Sequence, residues 1–194
     1  MDTPDLDALD RADMERLVAG QDTALNELMA RHAPGLFRFL HRMLGNEDDA
    51  NDLAQETFVR VYRARTSYKR TQRFSAWLFT IAANLARNHL RWRARHPDIP
   101  LDAALATEPQ RGGEALAAQT GIPDRDAEAS DCAAAVRRAV QQLPPDLREA
   151  IVLCEWEELS TNEAAAILHT TPKAVESRLY RARQLLRERL KPWL

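Results

Sequence analysis

Apolar side chains recur at steps of three and four along most of this 194-residue chain, the spacing that gives a helix one buried face. Leu53, Thr57 and Val61, with Ala54, Phe58 and Tyr62 beside them, mark one such face. Phe74, Leu78, Ile81, Leu85 and Trp92 mark another. The one alternating run, "FVRVY", lies inside the first pattern and reads as helix. Helices are predicted near residues 11–19, 22–44, 47–65 and 73–95, with Gly20 and the "GN" pair at 45–46 as breaks. The fold class is all-α.

Between His96 and about Asp126 the periodicity fails, and "HPDIP", "EPQRGG" and "GIPD" supply prolines and glycines. This predicts a flexible linker over 97–127, too long for a loop in a compact domain. It separates a helical domain at 1–96 from a second at 128–194. In the second, "LPPDLREAIVLCEWEE" places prolines at a helix start, with Leu147, Ile151 and Cys154 spaced for one buried face. Ser160 with Glu163 three residues later is a capping box, so a helix is expected from there to about Leu168. "HTT" then makes the turn, Thr171 caps the next helix and Pro172 occupies its first position. With Ala165 at the close contact and Val175 facing into the angle, the pair reads as a helix-turn-helix. The second helix carries Lys173, Arg178, Arg181 and Arg183, which suits a major groove.

Charge changes the picture. The net charge is only −2, but its distribution is segregated. Residues 1–56 hold 13 acids and 5 bases, 57–97 hold 10 bases and no acid, 98–131 hold 8 acids and 2 bases, and 132–194 hold 8 acids and 10 bases. An acid-free basic stretch in an acidic chain points to a polyanion, because a merely solvated helix face mixes both signs. Seven of the 12 aromatic residues fall in the same stretch. Aromatic faces that stack on bases, beside arginines that hold the backbone, are the ingredients for binding unstacked single strands. Thr80, Asn84, Arg87, Arg91 and Arg95 line up beside the apolar stripe of the 73–95 helix, and "RARTSYKRTQR" before it is a polar, basic loop. Any single tryptophan here, Trp77 or Trp92, is more often core than base contact.

Magnitudes bound the function. Opening about ten base pairs forfeits about 1.4 kcal/mol of stacking per step, whereas each captured base returns only about 1–3 kcal/mol. A much larger partner has to supply the rest. The two cysteines, Cys132 and Cys154, are not in a C-x-x-C arrangement and read as reduced structural thiols. No Gly-rich phosphate loop, metal-ligand spacing or supported catalytic set is present in the sequence, so neither an enzyme nor a cofactor is expected. The acidic start and the lack of a membrane-length apolar run point to a cytoplasmic protein with no direct membrane insertion.

With "DANDLAQETFVRVYRA", "RFSAWLFTIAANLARNHLR" and "LSTNEAAAILHTTPKAVESRLYRARQLLRERL" in this order, the chain closely resembles the extracytoplasmic-function sigma factors of bacterial RNA polymerase. The resemblance runs from about Asp13 to Leu190. It implies a factor that binds core polymerase, recognises the minus-10 and minus-35 promoter elements and directs transcription initiation. Asp52, Gln55, Glu56 and Phe58 match the surface that docks on the β′ clamp helices, and the β flap is a second implied contact. Trp77, Asn84, Arg87 and Asn88 match positions near the minus-10 element, and the loop from Ser67 to Arg73 matches one that accepts a flipped base. Arg91, Arg93 and Arg95 are expected on phosphates. Lys173, Glu176, Ser177, Tyr180 and Arg181 match the start of the helix that reads the minus-35 element. The acidic linker is expected to enter polymerase channels built for nucleic acid. Members are commonly held by an anti-sigma factor, so one is an expected partner. The chain departs from the family's turn in carrying His169 where glycine is usual. The competing readings are a conventional helix-turn-helix regulator of duplex DNA and an RNA-binding or adaptor protein.

Overall fold

The computed structural model describes residues 5–96 and 126–193, with side chains of 126–130 left aside. The predicted linker up to residue 125, with its "EPQRGG" segment, lies outside the described residues, and its last two positions already belong to a helix that begins at Asp126. Among those described there is no strand.

Four helices build the first domain: α1 (Leu6–Val18), α2 (Thr23–Leu44), α3 (Glu47–Arg63) and α4 (Phe74–Arg95). Local chemistry sets their ends. The Asp5 carboxylate accepts from the Asp7 amide and starts α1 earlier than periodicity alone suggests. Gly45 closes α2 in the left-handed region at φ 74°, where a side chain would be strained. The Asn46 side chain then accepts from the Asp49 amide, and Glu47, Asp48 and Asp49 place negative charge at the positive end of α3. Met14, Leu17, Leu28, Leu36, Phe39, Leu40, Met43, Phe74 and Leu78 are wholly or almost wholly buried between these helices. Truncating a buried leucine among them costs about 2–5 kcal/mol.

A polar layer fastens α1 onto α2. Buried Asp10 accepts from Arg31 Nε at 2.9 Å and lies 2.8 Å from His32 Nε2, while Asp13 accepts from Arg31 Nη2 at 2.5 Å. These carboxylates interrupt the apolar pattern of α1, which is why its first half escapes a periodicity search.

The second domain contains α5 (Asp126–Gln141), α6 (Pro145–Ile151), α7 (Thr161–Ile167) and α8 (Pro172–Leu190). A wide turn over Val152–Trp156 extends α6 and was not foreseen. The capping box is complete: Ser160 Oγ accepts from the Glu163 amide and Glu163 accepts from the Ser160 amide. Thr171 caps α8 and Pro172 occupies its first position. His169 adopts φ 51° in the turn, so the histidine takes the left-handed conformation that glycine supplies more cheaply. Leu143, Leu153, Ile167 and Val175 fill the core under the helix-turn-helix.

The two domains meet along α2, α4, α5, α6 and α7, and their buried apolar side chains form one continuous cluster. Arg148, itself only 8% exposed, sends Nη1 across the boundary to the Met43 carbonyl at 2.6 Å and Nη2 to the carbonyls of Gln141 and Leu143. Gln141 Nε2 donates to the His41 and Arg42 carbonyls at 3.2 and 2.7 Å. The Gly45 amide already serves the His41 carbonyl, and the other domain adds donors to it and to the Arg42 and Met43 carbonyls at the end of α2.

Candidate nucleic-acid interface

The basic helix α4 packs Phe74, Leu78, Phe79, Ala82, Ala83, Leu85 and Ala86 inward. Its opposite flank carries the sequence-predicted residues. Trp77 is half-buried: it packs on Tyr68 at 5.2 Å and on Phe74 at 6.2 Å between ring centroids. It also lines a shallow hollow of about 400 Å³ with Arg60, Arg63, Ala64, Ile81 and Asn84. The tryptophan therefore serves the core with one face and borders an open surface with the other. Trp92 is 40% exposed and stacks on His96 at 4.9 Å.

Arginines organise the polar row. Arg87 Nη2 donates to Asn84 Oδ1 and Arg91 Nη2 to Asn88 Oδ1, both at 2.5 Å, so each guanidinium holds an amide one turn before it. With Oδ1 accepting from the arginine, the amide NH2 remains as a donor, a group a base edge can use. Arg60 and Arg63, at the end of α3, complete the hollow; they fall in the acid-free stretch, which was the signal available for them. The preceding loop is shaped by a short turn at Arg65–Ser67, by Tyr68 donating to the Gln72 carbonyl at 2.9 Å, and by Arg65 lying 4.3 Å over the Tyr62 ring.

Three expectations change at this surface. Arg93 donates to buried Asp49 at 3.2 Å, with His89 3.3 Å from the same carboxylate, so it ties α4 to the start of α3 while about half of its side chain stays exposed. On α8, Arg183 pairs with Glu155 while its side chain stays 60% exposed, and Arg178 lies 3.9 Å from Asp146, so each also has a partner in its own domain. On α3, Asp52 and Gln55 are exposed, and half-exposed Glu56 accepts from Arg60 at 2.7 Å. Phe58, however, is 4% exposed and belongs to the core, so it can shape the docking face only from beneath.

The start of α8 is cleaner. Lys173, Glu176, Ser177, Tyr180 and Arg181 are all exposed at steps of three and four, Tyr180 at 66%, while Val175, Leu179 and Ala182 hold the other face in the core. Arg181 Nε donates to the Ser177 carbonyl at 3.4 Å, leaving most of its fork free. A helix with polar and aromatic groups on one outer face and a turn packed behind it can enter a major groove.

Several ionisable groups at the boundary are displaced from ordinary behaviour. Glu149 is 3% exposed, and burial pushes its carboxyl up to about 7 against the attraction of Arg87 and Arg178. Burial likewise raises Glu157, which Arg42 opposes. The Ser160 hydroxyl and Arg73 hold Glu163 below the usual carboxylate range. Among the described residues no group of three or more His, Cys, Asp or Glu side chains could hold a metal ion, and no helix is long and apolar enough to cross a membrane.

Both surfaces lie in segments that match known protein families. Residues 28–96 match sigma-70 region 2, and residues 133–186 match sigma-70 region 4. The chain is 33% identical over 181 residues to the RNA polymerase sigma-H factor of Pseudomonas aeruginosa, covering 93% of each. It is 41% identical over 181 residues to the RNA polymerase sigma factor CarQ of Myxococcus xanthus, covering 91% of this chain and 95% of that protein. Against the ECF RNA polymerase sigma-E factor of Escherichia coli K12 the identity is 32% over 183 residues, with 94% and 95% covered. Among solved structures, CnrH in complex with the cytosolic domain of CnrY matches with a TM-score of 0.69 and 28% identity, over 95% of this chain and 98% of that one. Sigma factor RpoE in complex with the anti-sigma factor NepR, from Bartonella quintana, matches at 0.63 and 26%, over 86% and 96%.

Proposed function

The chain belongs to the extracytoplasmic-function group of the sigma-70 family, and from that premise we propose how its two domains share the work. It is an RNA polymerase sigma factor, a specificity subunit for transcription initiation and not an enzyme. The first domain engages core polymerase through the outer face of α3, with Asp52, Gln55 and Glu56 as the contacting side chains. The same domain takes the minus-10 element along α4, Asn84 and Asn88 reading bases while Arg87 and Arg91 orient them and hold phosphates. Trp77 and its hollow receive the displaced strand. The second domain reads the minus-35 element through Lys173, Glu176, Ser177, Tyr180 and Arg181, where a glutamate accepting from cytosine N4 or an arginine on guanine gives about 1–3 kcal/mol of discrimination.

The observation that supports this division is the pair of amides on α4, each held by an arginine one turn later, beside a hollow that Trp77 helps to line. A regulator of duplex DNA alone has no use for that hollow. An anti-sigma partner is proposed by analogy with RpoE, which is in complex with the anti-sigma factor NepR in its solved structure, and a cytoplasmic location is proposed because the protein would act on RNA polymerase. Run-off transcription with purified core polymerase tests the function: specific transcripts should appear only when the protein is added. Initiation that never depends on it would refute the assignment.

A further inference from the structure

A cleft of about 700 Å³ opens between α2, α5 and the wide turn after α6, and none of the side chains assigned to DNA or polymerase lines it. One wall is aromatic and flat. Phe37 and His41, one turn apart on α2, stack with ring centroids 5.9 Å apart and planes only 12° from parallel. Val136 and Val140 of α5 supply an aliphatic wall, and Trp156 lines the same space. The volume falls within the range of small-molecule sites, which combine a largely apolar lining with a few polar groups that fix orientation.

The charged groups here are all cations. The lining holds Arg38, Arg42, Arg137 and Arg138 and no carboxylate. Arg42 is the most enclosed, its side chain 25% exposed, whereas the other three are exposed. Its guanidinium lies 5.2 Å over the Trp156 ring. A ring holds a guanidinium by its π-face and leaves N–H groups for an oxyanion. Behind the lining, Glu157 Oε1 stands 3.6 Å from Arg42 Nη1, beyond hydrogen-bond reach, and is buried without a hydrogen-bond partner among the described residues. Burial holds Arg42 below the usual guanidinium value, against the attraction of Glu157 and with the repulsion of Arg38. The fold thus leaves a partly desolvated cation short of hydrogen-bonding partners, beside open apolar space.

We propose that this cleft binds a small amphipathic organic anion, its flat apolar body between the aromatic pair on α2 and Val136 of α5, its carboxylate or phosphate head on Arg42 and Arg38. Stacked rings favour a planar body. Four like charges around one opening draw in an anion and repel a cation. The site goes beyond promoter recognition and does not depend on it. Because α2 lies in the first domain and α5 in the second, a bound anion touches both, and occupancy stabilises the folded chain by mass action.

Isothermal titration calorimetry of the full-length protein with 2-naphthyl phosphate, at physiological salt, tests the site. Beside it run 2-naphthoate, which changes the head, 2-naphthol, which lacks the charge, and inorganic phosphate, which lacks the body. The two aryl anions should bind, and 2-naphthol and inorganic phosphate should each bind more weakly by about tenfold or more, the worth of a charge-assisted hydrogen bond. The tighter of the two aryl heads identifies the anion class. Arg42→Gln and Arg38→Glu should each weaken 2-naphthyl phosphate by a similar factor; Arg38 is exposed, so its variant serves should Arg42→Gln unfold. Arg187→Glu, a charge reversal on exposed α8 outside the cleft, should leave binding unchanged. Amide NMR shifts should fall on residues 37–45 and 133–142. Absence of binding overturns the proposal, as do inorganic phosphate or 2-naphthol binding as tightly as the aryl anion, an equal loss in Arg187→Glu, or shifts confined to α4 or α8.

Discussion

Replacing Glu149 by glutamine should stabilise the protein in a pH-dependent way, and the size follows from its burial. The side chain is 3% exposed and its carboxyl is raised from 4.5 to about 7, with desolvation outweighing Arg87 and Arg178. The folded state therefore holds a proton that the unfolded chain releases over this interval. The associated stability is fully present below about 4.5 and is lost as pH rises through about 7. At about 1.4 kcal/mol per pK unit, ionised Glu149 costs the fold on the order of 3 kcal/mol above that range. Glutamine keeps the shape and never ionises. The variant should thus exceed the unmodified protein by about 3 kcal/mol near pH 8 and by about 1 kcal/mol near pH 5, an increment of about 2 kcal/mol between them. Urea unfolding of both proteins across this range, followed by helical circular dichroism, measures the difference. Other titrating groups are common to both and cancel. A gap that does not change with pH would refute the account.

Other substitutions separate the surfaces. Arg181→Ala or Glu176→Ala should lower minus-35 selectivity by about 1–3 kcal/mol in binding to mutated promoters, with core polymerase still captured in a pull-down. Asp52→Arg should abolish that capture while leaving the melting curve unchanged, because the side chain is exposed. His169→Gly should raise stability by about 1 kcal/mol, since φ 51° is strained for histidine and free for glycine; an unchanged melting temperature would show that the turn carries no such strain. Permanganate footprinting should find duplex promoter DNA closed when the protein is present without polymerase, given that opening about ten pairs far exceeds what a few stacked bases return.

The helix ends were legible because caps are local. Ser160 with Glu163, Thr171 with Pro172, and Gly45 each act within four residues, and the structure places all three where the sequence puts them. The outer face of α8 was legible for the same reason, since a regular helix converts spacing into direction. What failed to show was set by partners distant in sequence. Arg93 and Arg183 look like free cations until Asp49 and Glu155 fold against them. Phe58 looks like a docking residue until α3 turns it into the core. The α1–α2 network joins residues eighteen or more positions apart, and no periodicity encodes it. The packing of one domain on the other was equally silent, because its hydrogen bonds span about a hundred residues.

Arg148 gives that packing a temporal character. One planar guanidinium reaches Met43 in one domain and Gln141 and Leu143 in the other, so its fork is shared between the two sides of a seam. Sliding the domains by a fraction of a hydrogen-bond length would strain several bonds before water could replace any of them. Intermediate separations are therefore disfavoured, and the seam should part as a single activated event on the microsecond-to-millisecond scale of domain motions. Relaxation-dispersion measurements on the residues along the seam would register such an event.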